Sequence, residues 1–109
     1  MGGKRSRDKG ANFEREVVNL HKSWGVDAER IPLSGALKGN YSGDLKIGPE
    51  QALLAECKRR ARAYQDLYDA LDQDGSDMLF IRKDRGRTLV VLPIETYEAF
   101  LEWIGWKEN

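Results

Sequence analysis

The chain has 109 residues, 18 Lys/Arg balanced by 18 Asp/Glu, one cysteine and one histidine. That length suits one domain with one core, and lone Cys57 and His21 exclude an internal disulfide and a Cys/His structural zinc site. No apolar run approaches the ~20 residues that cross a bilayer, and the basic start is not followed by an apolar stretch, so no secretory leader is expected and a reducing, cytoplasmic setting is the simple expectation.

Residues 1–10 are rich in Gly, Lys and Arg and are expected to form a basic flexible arm ahead of a single domain over 11–109. Asn12 is a candidate helix cap. Phe13, Val17, Leu20 and Trp24 recur at helical spacing behind it, and Gly25 ends the segment. Glu14 lies about 100° round from Phe13, at the edge of that apolar stripe. A short strand is expected within 27–32, then a loop over 34–42 containing Gly35, Gly39 and Asn40. Residues 43–47 and 51–58 are two further strands across the turn Gly48-Pro49-Glu50. Tyr64, Leu67, Tyr68 and Leu71 predict a second helix, with Gly75 beyond its end. Residues 78–81 and 88–92 are continuous apolar runs, as in strands buried on both faces. Pro93 opens a last helix with Ile94, Tyr97, Leu101 and Ile104 on one face. The order α-β-β-β-α-β-β-α predicts an α/β (α+β) fold, a central mixed sheet flanked by helices.

Charge is divided along the chain. Residues 1–62 carry 13 Lys/Arg against 8 Asp/Glu, and residues 63–109 carry 5 against 10. A basic half on a neutral protein can still neutralise phosphates. The alternative is a solvated charged surface, and charge alone divides the two evenly.

The chemistry-bearing segment is Ser42-Gly43-Asp44-Leu45-Lys46-Ile47, followed by Leu54-Ala55-Glu56-Cys57-Lys58. Side chains alternate along a strand, so Glu56 and Lys58 share a side. An otherwise apolar strand ends in these two charges, with Asp44 opening the neighbouring strand. Phosphodiester hydrolysis is served by a metal ion that polarises the phosphate and acidifies its water. Mg²⁺ prefers oxygen ligands and keeps several waters, so two carboxylates suffice. A nearby lysine can orient or deprotonate water, or stabilise the transition state. Taken alone, the pattern is weak and is better explained by a surface ion pair and a turn aspartate.

Asp44, eleven intervening residues and Glu56-Cys57-Lys58 resemble the signature of the PD-(D/E)XK nuclease superfamily, with Gly43 standing where its name has Pro. Two more segments narrow the likeness. Gly10-Ala11-Asn12-Phe13-Glu14-Arg15-Glu16 resembles the N-terminal helix of archaeal-type Holliday-junction resolvases, and Arg30-Ile31-Pro32-Leu33-Ser34-Gly35 resembles their Arg-x-Pro-x-Ser-Gly segment. Residues 63–109 are more similar to small resolvase-like proteins of phages, where a Leu-Val-Val-Leu-Pro strand precedes the last helix. The resemblance implies a restriction-endonuclease-like fold and Mg²⁺ or Mn²⁺ held by Asp44 and Glu56, with Glu14 as third acid. It also implies Lys58 as the catalytic lysine, and Ser34, Arg15 and Arg30 at the scissile phosphate or its neighbours. Cys57 points away from Glu56 and Lys58 and is expected as a core residue, while its backbone carbonyl could serve as a metal ligand, as in related nucleases. Arg59, Arg60 and Arg62, beside this site, are favoured as a phosphate track over a solvated strand end.

His21 is favoured as a surface or half-buried histidine over a site residue, and Trp103 and Trp106 as core or dimer surface over base-stacking groups. The expected activity is that of a metal-dependent DNA endonuclease, most specifically a Holliday-junction resolvase acting as a homodimer on branched DNA. The alternatives are another nuclease of the superfamily, in restriction, repair or packaging, and a non-catalytic DNA-binding module. Retention of Asp44, Glu56 and Lys58 together argues against the last.

Overall fold

The structure is a computed structural model and describes residues 2–31 and 44–108, with side chains from Lys9 onward. The elements are α1 (Gly2–Ser23), β1 (Ala28–Arg30), β2 (Leu45–Ile47), a 3-10 turn (Pro49–Gln51), β3 (Leu53–Ala55), α2 (Gln65–Gln73), β4 (Leu79–Ile81), β5 (Leu89–Val91) and α3 (Ile94–Trp103). This is the expected α/β order, consistent with a restriction-endonuclease-like fold. Two units are distinguished by their internal contacts: Met1–Arg60 with Trp106–Asn109, and Ala61–Gly105.

In the first unit, α1 packs on β1, and β1-β2-β3 form an antiparallel sheet. The register sets Ala28 against Ile47 and Arg30 against Leu45 on one side of β2, and Leu45 against Ala55 and Ile47 against Leu53 on the other. Leu45 and Ile47, two residues apart, point to one face and are buried with Val18, Trp24, Val26 and Ala28. Leu45 is 0% exposed; burying a leucine fully is worth about 1.5–3 kcal/mol. Gly25 ends α1 at φ 76°, a conformation that costs glycine nothing. There its N–H donates to the Lys22 carbonyl at 3.0 Å and the Val26 N–H to that of His21 at 2.9 Å, which satisfies the last helical acceptors. The chain's end returns to this point, where the Glu108 N–H donates to the Trp24 carbonyl at 3.0 Å.

The second unit holds the antiparallel pair β4-β5, with Phe80 opposite Val90, together with α2, which contacts β4, and α3. Leu71 and Leu101 are its buried apolar side chains.

Several expectations change. Helix α1 starts at Gly2, ahead of Asn12, so residues 2–10, expected as an arm, are helical. The Asn12 side chain does not open a helix; its Oδ1 accepts from Arg15 Nη1 at 3.1 Å. The buried side chains of α1 are Val18 and His21, joined by Trp24 just past its end, while Phe13, Val17 and Leu20 are half-buried. His21 is fully enclosed at 1% exposure, with Nδ1 2.7 Å from the Val17 carbonyl and its ring edge-on to Trp24 at 5.3 Å. The apolar runs of β4 and β5 are not buried on both faces: Phe80 is 65% exposed and Val90 is exposed beside it. Ile104 lies beyond α3 and is exposed. The described strands pair as two antiparallel sheets, where one mixed sheet was expected. β2-β3 and β4-β5 are each joined by a short connection, which closes an antiparallel pair locally, whereas parallel pairing needs a long crossover.

Candidate active site

Asp44, Glu56, Cys57 and Lys58 come together at one end of the β2-β3 pair, all within the first unit. The last ladder pair is Leu45 against Ala55, so one step on, Asp44 comes level with the Glu56–Cys57 step. Asp44 is tied there three ways. Its N–H donates to the Ala55 carbonyl at 2.8 Å, its carbonyl accepts from the Ile31 N–H at 2.9 Å, and its Oδ2 accepts from the Cys57 N–H at 2.7 Å. The last bond replaces a ladder bond with a side-chain bond, so β3 ends at Ala55 and Glu56 and Lys58 lie past the strand, where a strand running to 58 was expected.

The acids each meet a donor. Glu14, on α1, pairs with Arg30 at the end of β1, with Oε1 2.9 Å from Nε. Glu56 Oε2 lies 3.3 Å from Lys58 Nζ, with both side chains 54% exposed. Cys57 reports on all three carboxylates. Its thiol is pushed up to about 11 by burial, then by the charges of Asp44, Glu14 and Glu56. A negative charge disfavours a thiolate only within electrostatic reach, so the helix acid and the two strand-end acids all lie within that reach of one half-buried side chain.

A family model described as "Phage putative PDDEXK endonuclease" matches residues 5–104. The chain belongs to this family. No curated protein and no solved structure matches it. The match runs through both units and includes Glu14, Asp44, Glu56 and Lys58, so the PD-(D/E)XK resemblance extends well beyond the short signature.

PD-(D/E)XK nucleases generally use divalent metals, and the chemistry of this donor set fits one. Carboxylate oxygens of Asp44, Glu56 and Glu14 are hard ligands of the kind Mg²⁺ and Mn²⁺ take. The arrangement is not closed as it stands: among the described residues, no three His, Cys, Asp or Glu side chains stand together as a metal site. Glu56 is turned to Lys58 and Glu14 to Arg30.

The other expected residues divide. Arg15, Arg59 and Arg60 are exposed in the first unit, and Arg62 is exposed in the second. Arg60 Nη1 donates to the Arg59 carbonyl at 3.4 Å. Ser34 lies outside the described residues. The pairing of Arg30 with a site acid is the feature that motif reading missed. Its signal was weak, since sixteen residues separate the two and only the packing of α1 on β1 joins them. The first unit also has a cleft of about 670 Å³ lined by residues including Lys22, Asp27, Glu29, Lys46 and Gln51. None of the candidate acids lines it.

Proposed function

We propose that the protein is a Mg²⁺- or Mn²⁺-dependent DNA endonuclease that cuts branched DNA as a homodimer in the cytoplasm. The observation that carries the reading is Asp44 held at 2.7 Å by the Cys57 N–H, which brings one acid of the signature beside the other acid and its lysine. When bound, the metal would polarise the scissile phosphate and acidify the attacking water. Asp44 and Glu56, joined by Glu14 and the Cys57 carbonyl, would hold it. Lys58, next to Glu56, would orient the water or stabilise the charge that develops on the phosphate. Arg15, Arg59, Arg60 and Arg62 would neutralise phosphates on either side of the cut. Ser34 would contact the scissile phosphate by the same resemblance.

Preference for a four-way junction rests on the Glu14-Arg15-Glu16 and Arg30-to-Gly35 segments. A dimer is supported by exposed apolar side chains, among them Trp103 at 74% and Ile104 at 60%, since large exposed apolar groups are what a second copy would cover. The match across 5–104 supports treating both units as one nuclease domain.

The deciding experiment is nicking of a four-way junction beside matched duplexes, with Mg²⁺, with Mn²⁺ and with EDTA. Metal-dependent nicking of the junction in preference to duplex is the expected result. Equal cutting of both would remove the junction preference and leave a nuclease. Absence of cutting with either metal would overturn the endonuclease reading itself.

A further inference from the structure

We infer that Arg30 is a positioning residue for the metal site, acting through Glu14 rather than by gripping the DNA backbone. The inference rests on the proposed reading of Asp44, Glu56 and Glu14 as metal-holding acids, and it reassigns a residue that the motif resemblance places on phosphate.

Three observations carry it. First, Arg30 is already engaged: Nε donates to Glu14 Oε1 at 2.9 Å, with Glu14 the less exposed partner at 19% against 37%. Second, the pair repeats a device seen at Asp44. There one carboxylate oxygen, Oδ2, is held by the Cys57 N–H. At Glu14 one oxygen, Oε1, is held by Arg30. Each acid thus has one oxygen fixed by a donor, and no second hydrogen-bond partner is present on the other oxygen among the described residues. A ligating carboxylate held in this way by an outer donor is the usual support of a metal centre. Third, Arg30 sits where it can join the two acids. The next residue, Ile31, donates its N–H to the Asp44 carbonyl at 2.9 Å. The end of β1 therefore grips Asp44 through its backbone and Glu14 through the Arg30 side chain.

Magnitude separates this role from simple stabilisation. A partly exposed ion pair adds little to folding, whereas outer-shell partners of metal ligands typically change metal affinity by about 10–100-fold. The Arg30 guanidinium meets Glu14 through Nε on Oε1, a directional contact that a lysine ammonium replaces with a less oriented one.

The test is Mn²⁺ binding to the full chain without DNA, followed by paramagnetic resonance, for wild type, Arg30→Gln, Arg30→Lys, Glu14→Gln and the double variant Glu14→Gln/Arg30→Gln. Thermal melts establish that each variant is folded. The expected result is an affinity about tenfold weaker in Arg30→Gln, partial recovery in Arg30→Lys, and no further loss on adding Arg30→Gln to Glu14→Gln. The salt dependence of DNA binding should be unchanged in Arg30→Gln. Wild-type Mn²⁺ affinity in Arg30→Gln, with a salt slope lower by about 0.9, would overturn the inference and return Arg30 to the phosphate contacts. Wild type that neither binds Mn²⁺ nor cuts DNA would overturn the underlying metal reading, and the inference with it.

Discussion

Asp44 and Cys57 are joined by a bond from a backbone N–H to a carboxylate oxygen, 2.7 Å long and thirteen residues apart in sequence. A charge-assisted bond of this length is among the stronger hydrogen bonds and holds that carboxylate oxygen in place. It also ends the β2-β3 ladder where Glu56 and Lys58 begin.

Asp44→Asn keeps an oxygen able to accept the Cys57 N–H and removes only the charge. Cleavage should fall by at least about 100-fold, with folding intact and DNA binding equal or tighter, because a charge that repels phosphate is gone. Glu56→Gln should behave alike. Nicking rates and binding isotherms on the same DNA check this, and turnover retained in either variant would place the metal elsewhere.

Lys58 and Glu56 lie 3.3 Å apart, but both are half exposed, and such pairs are worth about 0–1 kcal/mol. Lys58→Ala should therefore leave the urea midpoint almost unmoved while cutting the rate severely. A large stability loss with normal turnover would make Lys58 a structural residue.

Arg59 and Arg60 are exposed immediately after the site. Replacing both with alanine should lower the salt slope of DNA binding by about 1.8 if each neutralises one phosphate. The rate at saturating DNA should change far less than the affinity. An unaltered slope would make them a solvated strand end.

The Cys57 thiol is raised from an ordinary 9.0 to about 11, by burial first and then by Asp44, Glu14 and Glu56. The thiolate is the reactive form, so alkylation of the folded protein should rise with a midpoint near pH 11, above that of the unfolded chain. Between the two values the folded state keeps a proton that the unfolded state loses. This contribution to stability is therefore complete below pH 9 and is lost as pH rises through 11. Glu14→Gln should lower the alkylation midpoint; an unchanged midpoint would show that Glu14 does not face Cys57.

Gly48 has φ 95°, and a Cβ added there would overlap the Trp106 ring. Gly48→Ala should cost about 2 kcal/mol in denaturant unfolding, with a shift in tryptophan emission. A neutral outcome would mean that the C-terminal tail does not pack on the β2-β3 turn.

Element order was legible in the sequence because it is local. Leu67, Tyr68 and Leu71 carry a helical period, Leu89-Val-Val91 an extended run, and Gly48-Pro49 a turn, whatever surrounds them. Glu56-x-Lys58 was legible for the same reason, as two charges ending an apolar strand. Register was not local. That Asp44 comes level with Glu56 depends on the 3-10 turn and on which residues of three strands bury together, and a slip of one residue would reverse every face. His21 shows the same limit: the sequence favoured a surface or half-buried histidine, and only packing against Trp24 and Val17 enclosed it. The sequence by itself determined which acids, lysine and arginines this nuclease carries and in what order. The tertiary structure decided that Arg30 meets Glu14 and that Cys57 holds Asp44, because partners sixteen and thirteen residues apart are chosen by how α1, β1 and β3 pack and not by any pattern along the chain.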